Sequence, residues 1–159
     1  MRRSIILSTV VITLGVVGCG DDDPGASAAS TAIVSVADVD GTDVLADSSG
    51  KTLYTAAVEK DGRILCVDAC VSFWAPLLGS SADADRAAAD LDADIGVVKR
   101  PDGEQQLTFD GLPLYTFTEE GAGKLQGDGF ADDFQGTHFE WEAARTSGGS
   151  SAPGGGYGY

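Results

Sequence analysis

Cys66 and Cys70 stand four residues apart, with three residues between them, in "CVDAC". Two thiols at close range can form a structural disulfide, exchange electrons with a partner or ligate a metal. Their Cys-x-x-x-Cys spacing is not the redox Cys-x-x-Cys. No basic residue lies between them to lower a thiol pKa, and Asp68 disfavours a thiolate. On a regular helix Cβ atoms at this spacing lie about 5 to 6 Å apart, whereas a disulfide wants about 3.5 to 4.5 Å. The expectation is therefore a structural disulfide in a tight, irregular turn that leads into "VSFWAPL" and helps seat Trp74. Closing so short a loop contributes about 2 kcal/mol. A thiol-disulfide or electron-transfer role and metal ligation are the alternatives.

Little else invites catalysis. The chain has one histidine, His138 in "QGTHFEW", which reads first as a packing or surface position. There is no Gly-x-Ser-x-Gly, no phosphate-cradling GxxxxGK and no Cys-x-x-Cys-His. Asp90, Asp92 and Asp94 have the spacing of a calcium loop. Ile95 then falls where the glycine should be, and Pro101 falls where the last carboxylate should be, so a solvated acidic loop is expected. No enzyme class, cofactor or metal follows.

The third cysteine, Cys19, carries a different chemistry. Arg2 and Arg3 precede an apolar run from Ile5 to Val17, which is short of the roughly 20 apolar residues that span a bilayer. A basic start, a short apolar core and then small residues make an export signal over residues 1–18. "VVGC" resembles a bacterial lipobox. That resemblance implies a diacylglycerol on Cys19, cleavage just before it, and an envelope lipoprotein held at the periplasmic or exterior face of a bacterial membrane. Two or more acyl chains, palmitate among them, make such attachment stable, since one myristoyl chain gives only about 10⁴ M⁻¹.

Cleavage would leave 8 of the 10 basic residues and all 25 acidic ones, a formal charge of 8 − 25, or −17, against −15 for the whole chain. That balance excludes nucleic acid, whose phosphates need Lys and Arg. Residues 19–31, the anchor cysteine with "GDDDPGASAAST", read as a flexible tether. Residues 146–159, rich in Gly and Ser, read as a disordered tail. Its Tyr157 and Tyr159 leave an envelope protein or a glycan open as partner.

Between the ends lies one domain, residues 32–145. "TAIVSVADV", "KTLYTAAV", "IGVVKR", "EQQLTF" and "PLYTFT" are short strand candidates separated by turn signals. Asp110-Gly111 predicts a tight hairpin. "GSSADADRAAADLDAD" is a short, poorly packed helix or a long connection. The expected class is mainly β, with a β-rich α+β arrangement as the alternative.

The chain repeats a phrase. A shift of 61 residues (115 minus 54) sets "GKTLYTA" on "GLPLYTF". Gly50 meets Gly111, Leu53-Tyr54-Thr55 meets Leu114-Tyr115-Thr116, Glu59 meets Glu120, Gly62 meets Gly123 and Phe73 meets Phe134. Two related half-repeats, about 45–78 and 106–142, are expected in one domain of short antiparallel strands. Tyr54 and Tyr115 should then take equivalent strand positions against apolar neighbours. Trp74 and Leu77 should anchor the first half of the core, with Phe134 and Trp141 anchoring the second. Gly127 and Ala131 match the two cysteines, so the second half should turn without a bridge.

"GKTLYTAAVE", "CVDACVSFWAPL", "VKRPDGEQQLTFDGLPLYTF" and "LQGDGFADDFQGTHFEW" together resemble the secreted-repeat lipoproteins described by a Tyr-x-aromatic-x-x-Asp motif. The resemblance covers roughly residues 45–142. It implies an envelope lipoprotein without an established biochemical role and lends no enzyme class. The first motif here runs Tyr54-x-Ala56-x-x-Glu59 and the second Tyr115-x-Phe117-x-x-Glu120, so Glu replaces the motif Asp in both. Trp74-Ala75-Pro76-Leu77 stands where the family has Trp-Pro-Pro-Leu. A longer carboxylate in both copies fits a structural hydrogen bond or a surface role better than a placed ligand. Three functions follow: a non-catalytic binding or surface module of the envelope, a redox protein using Cys66 and Cys70, and a metal- or small-molecule-binding lipoprotein.

Overall fold

The structure, a computed structural model, describes residues 32–146. The expectations for Cys19, the export signal, the tether, Tyr157 and Tyr159 lie outside the described residues.

Strands β1 (Val34–Val39) and β2 (Thr42–Asp47) form an antiparallel hairpin. Asp40 (φ 53°) and Gly41 (φ 82°) turn it with two left-handed residues, the geometry that matches the twist of paired strands. Next come β3 (Leu53–Ala56) and β4 (Trp74–Pro76). After a helix, β5 (Ile95–Lys99) pairs with β6 (Gln105–Phe109), and β6 turns through Asp110-Gly111 into β7 (Leu112–Pro113), the expected hairpin. Strand β8 (Tyr115–Phe117) follows, then the hairpin of β9 (Phe130–Phe134) and β10 (Thr137–Ala143), turned at Gln135-Gly136. The domain is mainly β, in three antiparallel sheets whose largest has the order β4-β8-β3-β10-β9.

That sheet has a pseudo-twofold centre. β3 and β8 pair antiparallel with Tyr54 opposite Tyr115. Outside β8, β4 sets Trp74 against Phe117 and Pro76 against Tyr115. Outside β3, β10 sets Trp141 against Ala56 and Ala143 against Tyr54. Trp74 and Trp141 are therefore equivalent, although they lie 67 residues apart (141 minus 74), because the second half is six residues longer (67 minus 61) before its tryptophan. The exchange continues along the backbone. Leu77 N–H donates to Leu114 O (2.9 Å) and Ala144 N–H to Leu53 O (2.8 Å). Leu107 N–H donates to Leu77 O (2.9 Å) and Leu45 N–H to Ala144 O (2.7 Å). The structural halves thus begin at β1 and β5, earlier than the repeat legible in the sequence.

The alternation of a strand explains the repeated Leu-Tyr pair. Leu53 and Leu114 enter an aliphatic layer with Val34, Leu45, Ile95 and Leu107. Tyr54 and Tyr115 point to the other face, into an aromatic layer with Trp74, Phe117, Phe139, Trp141 and the cystine. Here the structure corrects an expectation. Each half does not keep its own anchor: Trp74 and Trp141 stack on each other at 4.0 Å and 12°, one shared core across the centre. Leu77 is only partly buried, against the aliphatic layer, and Phe134 is partly buried at the margin of the aromatic one.

Residues 79–94 hold a capped helix, α1 (Ser81–Leu91). Ser80 and Asp83 form a capping box, and Asp92 ends the helix in the left-handed conformation (φ 49°). Ala84 and Ala87 seat it on the aliphatic layer, where small side chains permit close approach. Strands β2, β4, β9 and β10 were not expected. In β10 the signal was present as alternation, since Phe139, Trp141 and Ala143 are buried while Glu140 and Glu142 are exposed.

Candidate functional site

The repeat residues converge in two related clusters, each built from both halves. The Tyr54 hydroxyl donates to Glu120 Oε2 at 2.9 Å. The Tyr115 hydroxyl donates to Glu59 Oε1 at 3.2 Å. Each tyrosine thus serves the carboxylate of the other repeat. Glu59 Oε1 also accepts from Leu65 N–H (2.6 Å) and Cys66 N–H (2.7 Å). Glu120 Oε2 accepts from Gln126 N–H (2.9 Å) and Gly127 N–H (3.3 Å). Leu65 and Cys66 are the 61-residue equivalents of Gln126 and Gly127, so the same bonds are drawn twice. The glycines repeat the exchange: Gly62 N–H donates to Gly111 O (3.0 Å) and Gly123 N–H to Gly50 O (2.9 Å).

All four side chains are buried. Burial pushes both carboxyls above the usual range, against the opposing effect of the backbone N–H groups they accept from. Burial also pushes both tyrosine hydroxyls up, and the neighbouring carboxylate adds to the rise. Glu59 Oε2 and Glu120 Oε1 have no hydrogen-bond partner. One oxygen of each carboxyl therefore makes three bonds and the other makes none.

The Glu59–Tyr115 cluster has a cationic brace that the sequence did not point to. Arg100, buried, donates to Cys66 O (3.1 Å), to Asp102 (3.2 Å) and to the Gln106 side chain. Gln106 in turn donates to Leu114 O at 2.7 Å. The Arg100 charge opposes the rise of the Glu59 carboxyl. No motif spacing marks Arg100 or Gln106, because the backbone carbonyls they reach, Cys66 O and Leu114 O, are brought to them by the fold.

Cys66 and Cys70 form a disulfide, with Cα atoms 5.2 Å apart and both residues buried. Asp68 adopts φ 50° between them, and Cys70–Ser72 makes one 3₁₀ turn into Phe73 and Trp74. Gly129 (φ 74°) takes the place of Asp68 in the second half. A Cβ on Gly127 would meet Trp74 and Tyr54 ring atoms at 2.9 Å, so a cysteine could not stand there.

Phe117 stacks on Trp74 at 4.7 Å. The two indole N–H groups, from Trp74 and Trp141, donate to opposite oxygens of Asp132 at 2.9 and 3.0 Å. His138 lies exposed on β10 beside Asp133 (3.1 Å). Asp90, Asp92 and Asp94 lie exposed around the end of α1, and among the described residues no group of three or more His, Cys, Asp or Glu is placed to hold a metal. No described helix is long and apolar enough to cross a membrane.

Residues 96–139 match the model of a family described as a secreted repeat of unknown function, the family that the motifs resemble. The match runs from β5 into β10, almost the whole second half. Neither a curated protein nor a solved structure matches the chain. That description, of a secreted repeat, agrees with an envelope or extracellular location.

Proposed function

We propose that the protein is a lipid-anchored, non-catalytic module of the bacterial cell envelope. Cys19 carries the acyl chains, and the β domain is displayed on a tether toward the periplasm or the exterior. One observation carries the non-catalytic reading. Tyr54, Tyr115, Glu59 and Glu120, the polar residues that recur in the repeat, are buried and bonded to one another across the two halves. Groups spent in this way brace a fold; they do not face a substrate. The cystine supports the same reading, since both cysteines are buried inside the aromatic layer, away from a partner thiol.

The test is intact-mass analysis of protein extracted from membranes. Loss of residues 1–18 and a diacylglyceryl adduct on Cys19 are expected, and Cys19→Ser should release the chain from the membrane fraction. A full-length, unmodified chain would overturn the anchor.

A further inference from the structure

Four phenylalanines outside the Tyr–Glu clusters converge on a surface cleft of about 260 Å³. They are Phe73 at the end of the cystine turn, Phe117 of β8, and Phe130 and Phe134 of β9. Phe73 and Phe130 are 43% and 42% exposed, so two of the four rings open to solvent. The remaining lining residues are Glu119 and Asp132.

The cleft is preorganised. Phe117 and Phe130 lie 5.5 Å apart, and both pack against Trp74, at 4.7 and 6.1 Å. Phe73 and Phe134 lie 6.0 Å apart, and Phe134 sets its edge on Phe139 at 5.9 Å. The two indole N–H bonds fix the Asp132 carboxylate. Four phenyl rings and two acids, with no Lys or Arg in the lining, make a site of one electrostatic sign on a chain of net charge −15. Ring faces carry negative quadrupole density and attract cations.

The donor count selects among cations. A primary ammonium brings three N–H donors and a guanidinium five, each needing an acceptor once desolvated. The two indole bonds take one lone pair on each Asp132 oxygen and fix that carboxylate, while the other four lining residues are phenylalanines whose side chains offer no conventional acceptor to an N–H donor. A methylated ammonium has no donor to satisfy and offers an apolar, charged surface to the rings. We infer that this cleft binds a quaternary ammonium group. The inference rests on the reading of the domain as a non-catalytic envelope module and gives that module a ligand class.

Choline chloride is the probe, titrated into the full chain in detergent and followed by calorimetry and by ring-proton shifts. Saturable binding with a dissociation constant near or below about 1 mM is expected. The neutral isostere 3,3-dimethylbutanol should bind at least about tenfold more weakly, as should ethanolamine. Phe73→Ala and Phe130→Ala, both at exposed rings, should weaken choline about tenfold, and Glu119→Gln severalfold, with melting curves showing that each variant still folds. Added binding to phosphatidylcholine vesicles would identify a lipid headgroup as the source; choline binding alone would identify a soluble one. Equal affinity for dimethylbutanol would reduce the cleft to an apolar patch and overturn the proposal, as would ethanolamine matching choline or no saturation by about 10 mM. Membrane anchoring, read by mass, stands or falls separately from each of these results.

Discussion

A buried carboxyl group with one oxygen accepting three hydrogen bonds and the other without a partner responds to pH in a defined direction. Glu59 and Glu120 both have folded-state pKa values raised above the ordinary 4.5, chiefly by burial. The folded protein therefore holds their protons to higher pH than the unfolded chain does. Their contribution to stability is full below about pH 4.5 and is lost as pH rises through the folded values. Glu59→Gln with Glu120→Gln keeps an acceptor for the tyrosine and backbone donors and removes the titration. Denaturant melts from pH 4 to 8 should show the wild-type stability falling relative to the double variant as pH rises. Parallel profiles would mean that neither carboxyl titrates differently on folding. The sequence brought out these two glutamates and their tyrosines through repetition alone. It did not show that the pairs are exchanged, because spacing records which residues recur and not which copy each one meets.

Among elements, the two turns before the tryptophan strands solve one problem in two ways. The first is stapled by Cys66–Cys70 and the second runs through Gly127. The Cys66 spacing announced an irregular turn, and the turn is there. Gly127 was legible only as a missing cysteine; its cause is the pair of rings 2.9 Å from where a Cβ would stand. Those rings belong to Trp74 and Tyr54, both fully buried, so they cannot move aside cheaply. Gly127→Ala should cost about 1 to 3 kcal/mol, the usual penalty for overpacking a core. A thermal melt within error of wild type would show that the two rings yield. Strand β10 escaped notice for a related reason. Its glutamates break the apolar run that a short strand is usually recognised by, and its partner β3 lies more than 80 residues earlier (141 minus 56 is 85 for one facing pair).

At the scale of the whole molecule, size and class were legible from turn signals and strand propensity, and duplication from the shared phrase. The layer structure was not, because Leu and Tyr side by side reveal opposite faces only once a sheet exists to have faces. The exchanged pairs also bear on the chain itself. Every bond that crosses the centre joins one half to the other, and the covalent link between them runs through α1 at the margin of the aliphatic layer. The two halves are, in effect, a self-complementary pair that happens to share a backbone. Severed within α1, they should behave as a heterodimer obeying mass action, with a melting temperature that climbs with concentration. Neither fragment alone should melt cooperatively, since each would leave its carboxylate without the tyrosine it was built to receive. A lone fragment with a sharp transition would mean that half of this domain is already a fold.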